Sequence, residues 1–100
     1  MPDYITITGQ KHYYGILPFV IGACFSLEPE PKNLFDPEAI SVISPIYGKV
    51  GSVAQSESLL AEGTISSSEI FPFLSANTNC IVRFIAGEYI IAEIYEKEDA

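Results

Sequence analysis

Phe35 and Asp36 form an aromatic–carboxylate pair within the stretch EPEPKNLFDPEAISV, residues 28–42. An aromatic face can stack on another flat ring, and a carboxylate can accept hydrogen bonds. Pro, Asn and Asp are also the residues that build turns, and Asp36 before Pro37 is a suitable N-cap for a single helical turn. The stretch therefore closes a loop, shapes a binding site, or does both.

The other residues with reactive side chains are few and far apart. Cys24 and Cys80 lie in the apolar contexts ACF and NCIV, which predicts reduced core thiols, and the absence of a CxxC pair gives no support for a zinc site. Glu28 and Glu30 are two positions apart, which is too weak a pattern for glycoside or phosphoester chemistry. No nucleophile–His–acid arrangement is visible. We expect no enzymatic activity, no metal site and no cofactor.

The charge balance limits the class of partner. The chain of 100 residues has 5 Lys and Arg against 13 Asp and Glu, which gives a net charge of -8. This balance weighs against strong non-specific nucleic-acid binding, because phosphate binding draws on cations. Any phosphate contact must come from backbone N–H groups or from the five basic side chains, which are Lys11, Lys32, Lys49, Arg83 and Lys97.

The composition is that of one globular domain. Hydrophobic residues make up 48% of the chain and charged residues 18%, enough apolar surface for one compact core. We expect a single domain over residues 1–100 with a core of about 4–95. No apolar run reaches the about 18 residues of a membrane span, and the start MPDYITITGQ lacks the basic segment of a signal peptide. We expect a cytoplasmic protein without membrane association.

Six short strands are expected to position the candidate residues. Alternation of β-branched and apolar residues between Gly and Pro predicts strands at residues 4–9, 23–28, 39–44, 46–50, 80–85 and 89–95. Residues 53–63 are expected to form helical turns or a loop, and Ser67 or Ser68 to cap a short helix. Pro72 disfavours this helix unless it falls within the first turn. The pattern predicts a mainly β fold with one or two short helices, arranged as a closed or partly open barrel.

The order of several short motifs is more specific than any one of them. The opening strand is followed by GQKHYYG, a strand ending in EP, the pattern NxxDxxAIxV and the pattern KVGxV. The matching residues are Gly9, Tyr13, Gly15, Glu28, Pro29, Asn33, Asp36, Ala39, Ile40, Val42, Val50 and Gly51. Together with GTISSSEIFPFL and a final hairpin ending in IIAEI, this order resembles the HIRAN domain family, in particular its small stand-alone bacterial members. The resemblance spans Tyr4 to Tyr95.

The resemblance implies an OB-like six-stranded β-barrel that grips the 3′ end of single-stranded DNA. Larger members carry the domain ahead of a helicase-type ATPase. This chain has no phosphate loop of the GxxxxGK[ST] kind, so the resemblance implies binding without ATP hydrolysis. By position, Asp36 is the expected acceptor for the 3′-hydroxyl, and Phe35 keeps a stacking face where Tyr is more typical. Asn33 is expected to hold the loop or contact the sugar.

Further contacts are implied on two other segments. Lys11, His12 and Tyr13 match a segment where the family uses a basic residue and aromatics. Ser52 and Gln55 lie in the segment after the KVG-like strand, which supplies polar or basic groups to phosphates in DNA-binding members. Both positions are neutral here, and an acid follows them at residue 57. We therefore expect weaker and less salt-dependent DNA binding than in more basic members.

Each candidate also has an ordinary structural alternative. Asn33 and Asp36 suit turn caps, and Phe35 suits the core. Tyr13 and Tyr14 alternate at a strand end, which predicts that one of them is buried.

The competing function is an acidic protein-interaction or regulatory module that has lost DNA binding, because an acidic barrel can meet basic partners. A helicase or a nuclease is the class of protein partner expected, and an exposed strand edge leaves a homodimer open.

Overall fold

Six antiparallel strands close into a barrel. The computed structural model describes residues 3–30 and 33–98, and Lys32, one of the five cations, lies outside this range. The strands are β1 (Tyr4–Thr8), β2 (Cys24–Pro29), β3 (Ile40–Ser44), β4 (Gly48–Val53), β5 (Thr78–Ala86) and β6 (Tyr89–Glu96). Their order around the barrel is β1-β4-β3-β2-β5-β6, and β6 pairs with β1. The mainly β, six-stranded barrel expected from the sequence is confirmed.

The largest error in the predicted strands concerns β4, which begins two residues later and ends three residues later than predicted. Residues 46–50 were expected to form a strand, but β4 runs from Gly48 to Val53. The side chain of Ser44 explains the shift, because its Oγ accepts hydrogen bonds from the N–H groups of Ile46 and Tyr47, both at 3.1 Å. These bonds hold residues 45–47 in a turn, so β4 begins two residues later than predicted.

The helical segments are short. The α-helix is α1 (Ser67–Ile70), and single 3-10 turns occupy Gln10–His12, Glu57–Leu59 and Phe71–Phe73. Residues 36–38 form a turn and no helix.

The N-cap of α1 lies one residue before Ser67 and two before Ser68, the two predicted caps. Ser66 is the N-cap, since its side chain accepts from the Glu69 N–H while the Glu69 carboxylate accepts from the Ser66 N–H. This capping box satisfies two N–H groups that the helix leaves unpaired. Pro72 falls in the first turn of the following 3-10 helix, where it needs no N–H donor.

The core lies inside the barrel and follows from the alternation of each strand. Residues on one face of the strands are almost completely buried: Ile5, Ile7, Phe25, Leu27, Ile40, Val42, Val50, Val53, Cys80, Val82, Ile90 and Ala92. Their neighbours in sequence point outward, as the twofold period of a strand requires. Because every strand has a partner on both sides, a homodimer would have to form through side-chain surfaces and not through a strand edge.

Gly51 is required where β4 crosses β1. A Cβ atom at this position would lie 2.9 Å from the backbone oxygen of Thr8 and 3.0 Å from Cγ2 of Ile7. We expect Gly51→Ala to reduce the free energy of unfolding by about 1–3 kcal/mol, because the two strands must move apart. Ser52→Ala on the same strand is the control and should change it by less than about 0.5 kcal/mol. Equal urea midpoints for the two variants would contradict this account of the crossing.

The strand connections divide the barrel into two ends. The loops 9–23, 45–47 and 87–88 join strands at one end, which we call the hairpin end. The loops 30–39 and 54–77 join strands at the opposite end, which also holds the start of β1 and the end of β6. Over the described residues, no helix has the length and apolar character needed to cross a membrane.

Candidate nucleic-acid interface

Glu30 is the centre of a polar cluster on the outer face of β3 and β4. Its Oε1 accepts hydrogen bonds from the Ser41 hydroxyl and from the Lys49 ammonium, and its Oε2 accepts from Nδ2 of Asn33 at 3.1 Å. The Lys49 Nζ also lies 5.5 Å from the centroid of the Tyr13 ring, within the range of a cation–π contact. The cluster therefore links the loop of Tyr13 to the loop of Asn33, two of the segments that the sequence singles out.

The charges of Lys49 and Glu30 stabilise each other. Burial alone would raise the pKa of the Glu30 carboxyl, but hydrogen bonds from Lys49, Ser41 and Asn33 hold that pKa below its ordinary value of 4.5. Burial alone would lower the pKa of Lys49, but contacts with Glu30 and Tyr13 hold it above its ordinary value of 10.5. Both groups are charged at neutral pH, and together they add no net charge to this surface.

These shifts predict a pH dependence of stability. A carboxyl with a lowered pKa stabilises the fold above about pH 4.5, and the contribution is lost as pH falls through the lowered pKa; the contribution of Lys49 is lost as pH rises through its raised pKa. We expect Glu30→Gln to flatten the acid side of a plot of unfolding free energy against pH, by about 1 kcal/mol for this partly exposed pair. Acid limbs that coincide in the wild type and the variant would show that Glu30 is not stabilised in this way.

The loop of residues 33–39 is built from its own side chains. Oδ1 of Asn33 accepts from the N–H groups of Phe35 and Asp36, both at 3.0 Å. Oδ1 of Asp36 accepts from the Glu38 N–H at 3.0 Å. The capping roles of Asn33 and Asp36 are thus present, and Oδ2 of Asp36 has no hydrogen-bond partner within the described part of the chain.

Phe35 projects fully into solvent. Its exposed fraction is 99%, so the core position considered for it is wrong. The Asn33 side chain accepts a hydrogen bond from the Phe35 N–H. This bond fixes the backbone at Phe35, and the ring points into solvent. A free aromatic face therefore stands directly beside the Asp36 carboxylate.

Tyr13 and Tyr14 are both exposed, by 43% and 48%. The expectation that one of them is buried is wrong, since residues 10–12 form a 3-10 turn and residues 13–18 a further turn, in which side chains do not alternate. The Tyr14 ring lies 4.9 Å from the ring of Tyr47, a separation typical of paired aromatic rings. The β1–β2 loop is thereby packed against the β3–β4 turn, with both tyrosines accessible.

The remaining candidates are divided between different surfaces. Ser52 is paired in register with Ser41, so its side chain shares a face with the hydroxyl that binds Glu30. Lys11 is exposed and lines a separate cavity of about 430 Å³ with Tyr89. This cavity lies on another side of the loop from the Lys49 cluster.

The last two candidates are His12, whose side chain is exposed, and Gln55, whose side chain is hydrogen-bonded within the fold. His12 is exposed at the end of its 3-10 turn. Both amide atoms of Gln55 bind Ser68, with Oε1 accepting from the Ser68 N–H at 2.9 Å and Nε2 donating to the Ser68 hydroxyl. Gln55 thus fixes the start of α1, and its contact with phosphate stays a prediction.

Three residues of this surface were missed by sequence reasoning: Glu30, Lys49 and Tyr47. Lys49 was counted among the cations without a position. Lys49 lies beside Glu30 because it is paired with Ile43 on β3, after a register shift between Val42 and Ile43. The alternation of the two strands does not reveal such an irregularity. The period-2 pattern of β4 could have indicated only that Lys49 points outward.

The acidic residues are unevenly distributed over the barrel. Among the residues of the three hairpin-end loops, Glu88 is the one acid, while Lys11 and His12 are also there. The loops of the opposite end hold six acids, at positions 30, 36, 38, 57, 62 and 69. Of these six, Glu30 is paired with Lys49 and Glu57 directly precedes Ser58 in the cavity of Lys11, so the other four are the acids that lie away from the tyrosines and Lys49.

The comparisons with known proteins agree on the fold. No protein-family model matches the chain, and no curated protein sequence matches it. A crystal structure of a protein from Lactobacillus plantarum matches with a TM-score of 0.65 and 16% identity, over 94% of this chain and 90% of that one. The crystal structure of the HIRAN domain of human HLTF matches with a TM-score of 0.64 and 17% identity, over 97% of this chain and 77% of that one. The barrel has the HIRAN fold.

Two further features of this HIRAN-like barrel bear on its chemistry. Both cysteines are free, but only Cys80 is buried. The expected core position of Cys24 is wrong, because Cys24 is the first residue of β2 and lies on the outward side of its alternation. Burial raises the pKa of the Cys80 thiol to about 12, so this thiol stays protonated and unreactive.

Within the described ranges, no three His, Cys, Asp or Glu side chains are grouped as metal ligands.

Proposed function

We propose that the protein binds the 3′ end of single-stranded DNA along the outer face of β3 and β4. The observation that carries the proposal is the continuous cluster from Tyr13 through Lys49 and Glu30 to Asn33. It joins an aromatic surface at the hairpin end to the exposed ring of Phe35 and the carboxylate of Asp36. The HIRAN-like fold supports nucleic-acid binding as the general class of function.

Stacking supplies the main part of the proposed affinity. The rings of Tyr13, Tyr14 and Tyr47 are accessible on the hairpin-end side, and Phe35 is accessible on the other. Stacking of a base on an aromatic ring contributes about 1–3 kcal/mol and tolerates any base sequence. The protein is therefore expected to bind single strands with little preference for sequence, and duplexes weakly, because duplex bases are already stacked.

Phosphate contacts are few in this proposal. An ammonium group has three donors, and Glu30 uses one donor of Lys49, so the others can reach a phosphate. The Ser52 hydroxyl lies on the same face and His12 beside Tyr13. With about one or two cations in contact, the slope of log affinity against log salt is expected to be shallow, near -1.

Asp36 gives the proposal its preference for a free 3′ end. Oδ1 is occupied by the Glu38 N–H, which leaves Oδ2 to accept a hydrogen bond from a 3′-hydroxyl. A terminal phosphate would instead meet the carboxylate with like charge and be repelled. The neighbouring Phe35 ring would then stack on the final base.

Replacement of Tyr13 tests the stacking surface. Tyr89→Ala is the matched control, because Tyr89 is at the same end of the barrel and is 42% exposed against 43% for Tyr13, but it lines the other cavity. Fluorescence anisotropy with a labelled single strand of about 10 nucleotides, at low salt, should show a loss of about fivefold or more for Tyr13→Ala, corresponding to about 1 kcal/mol or more. Tyr89→Ala should bind like the wild type.

The same titration separates the proposal from its alternative. Equal losses in the two tyrosine variants would mean that the strand binds elsewhere on the hairpin end. A folded wild-type protein that binds no oligonucleotide at low salt would contradict the proposal, and would favour the acidic protein-interaction module, with a helicase or nuclease as the partner to seek by co-purification.

A further inference from the structure

The hairpin end exposes a group of large aliphatic side chains that DNA binding does not explain. We call this group the apolar end. Its members are 41–84% exposed and come from three loops or strands: Ile16, Leu17, Val20, Ile21, Ile46 and Ile85. Aliphatic side chains have no ring to stack on a base, and soluble proteins rarely leave such a group uncovered.

Contacts within the fold bring the segments that carry these side chains to one end of the barrel. The N–H of Gly22 donates to the carbonyl of Val82 at 2.8 Å, which holds Val20 and Ile21 against the part of β5 that leads to Ile85. Ile46 directly precedes Tyr47, whose ring packs on Tyr14, two residues before Ile16. The three segments therefore meet at the same end of the barrel.

The size of the surface suits a protein interface. The six exposed fractions correspond to roughly 700 Å² of residue surface, backbone included, above the about 300–600 Å² of the largest patch on a typical monomer and close to the about 800 Å² per partner of a standard interface. Phe84 and Tyr89 flank the group and are 54% and 42% exposed. An interface that includes them would reach the standard size.

The charges near the apolar end indicate which kind of partner could bind to it. Lys49 is paired with Glu30, and Arg83 with Glu93 at 2.9 Å. Of the charges in the three hairpin-end loops, Lys11 and Glu88 offset each other, so these loops add no net charge at pH 7. An anionic membrane or an acidic protein would gain little attraction here. Two copies of the chain could meet at this end, with most of their acids pointing away from each other.

We propose that two copies of this protein associate through their apolar ends as a twofold symmetric dimer. Such a contact is self-complementary, because each aliphatic side chain meets the same kind of surface on the other copy. It needs no strand edge, which the closed barrel does not offer. Glu30 and Asn33 belong to the loop at the opposite end of the barrel, whereas Tyr14 and Tyr47 border the contact.

Sedimentation velocity without nucleic acid tests the dimer independently of DNA binding. Leu17→Glu introduces a charge into the apolar end, and Leu34→Glu is the matched control, since Leu34 is 92% exposed in the loop of residues 33–39 at the opposite end. We expect the wild type and Leu34→Glu to sediment at twice the chain mass at about 100 µM, and the dimer of Leu17→Glu to be at least about tenfold weaker.

A folding control and a vesicle experiment complete the test of the dimer. Circular dichroism checks that Leu17→Glu is folded, and Ile46→Glu, in a different loop, replaces it if it is not. A wild type that is monomeric throughout the concentration range would overturn the dimer, as would equal weakening by Leu17→Glu and Leu34→Glu. A monomer that sediments with phosphatidylglycerol vesicles would assign the surface to lipid and also overturn it.

Discussion

Asp36→Asn is expected to remove the preference of the protein for a 3′-hydroxyl over a 3′-phosphate end. The Asn side chain keeps an oxygen that can accept from the Glu38 N–H, so the turn is preserved while the negative charge is lost. The phosphate-ended strand should gain affinity, because repulsion between two unit charges about 4 Å apart costs about 1 kcal/mol even in bulk water. This corresponds to a change of about fivefold or more in the ratio of the two affinities.

The experiment compares the two oligonucleotide ends by anisotropy on the same protein preparation. Glu62→Gln is the matched control, since it removes one exposed negative charge from the same end of the barrel but from another loop, residues 54–77, and leaves the Asp36 turn intact. If Glu62→Gln changes the ratio as much as Asp36→Asn does, the effect is one of net charge and the proposed role of Asp36 is wrong. Asp36→Ala is less informative, because it also removes the hydrogen bond that the Asp36 side chain accepts from the Glu38 N–H.

Lys49→Met is expected to weaken both the fold and DNA binding. Without the ammonium, the partly buried carboxylate of Glu30 keeps its bonds from Ser41 and Asn33 but loses its cation. The free energy of unfolding should fall by about 1–3 kcal/mol, and DNA affinity should fall with it because the central phosphate donor is gone. Lys97→Met, on the exposed chain end after β6, should change neither.

A second substitution separates the two effects of Lys49. Lys49→Met combined with Glu30→Gln removes the uncompensated charge, so stability should recover by about 1 kcal/mol or more relative to Lys49→Met alone. DNA affinity should stay low, because the cation is still missing. Recovery of DNA binding in the double variant would show that Lys49 acts on DNA only by keeping the loops folded.

The barrel was predictable because its causes are local. Alternation in segments such as YITIT and CIVRFIA marks strands whose buried faces are Ile5, Ile7, Cys80 and Val82, and Gly-containing turns separate them. Two local features were not predicted. Hydrogen bonds to the Ser44 hydroxyl delay the start of β4, and the 3-10 turn of Gln10–His12 replaces the strand end in which Tyr13 and Tyr14 were expected to alternate.

The candidate site was predictable only in its pieces. The motif GQKHYYG and the pattern around Asp36 indicated two segments, but nothing in one sequence places them side by side. Their connection depends on the register between β3 and β4, which brings Lys49 to Glu30 across a distance of 19 residues in the chain. The exposure of Phe35 likewise depends on the hydrogen bonds of Asn33, which a composition or periodicity argument cannot supply.

The most direct test of the central claim is an NMR map of the surface that a 3′-hydroxyl single strand contacts. Backbone amide signals of the uniformly labelled protein would be followed during the titration. We predict that the perturbed amides belong to residues 12–14, 33–36, 47–49 and 52, and that those of 57–62 and 96–98 stay unchanged. A spectrum that does not change, or changes confined to residues outside the predicted groups, would contradict the proposal that this barrel binds DNA along β3 and β4.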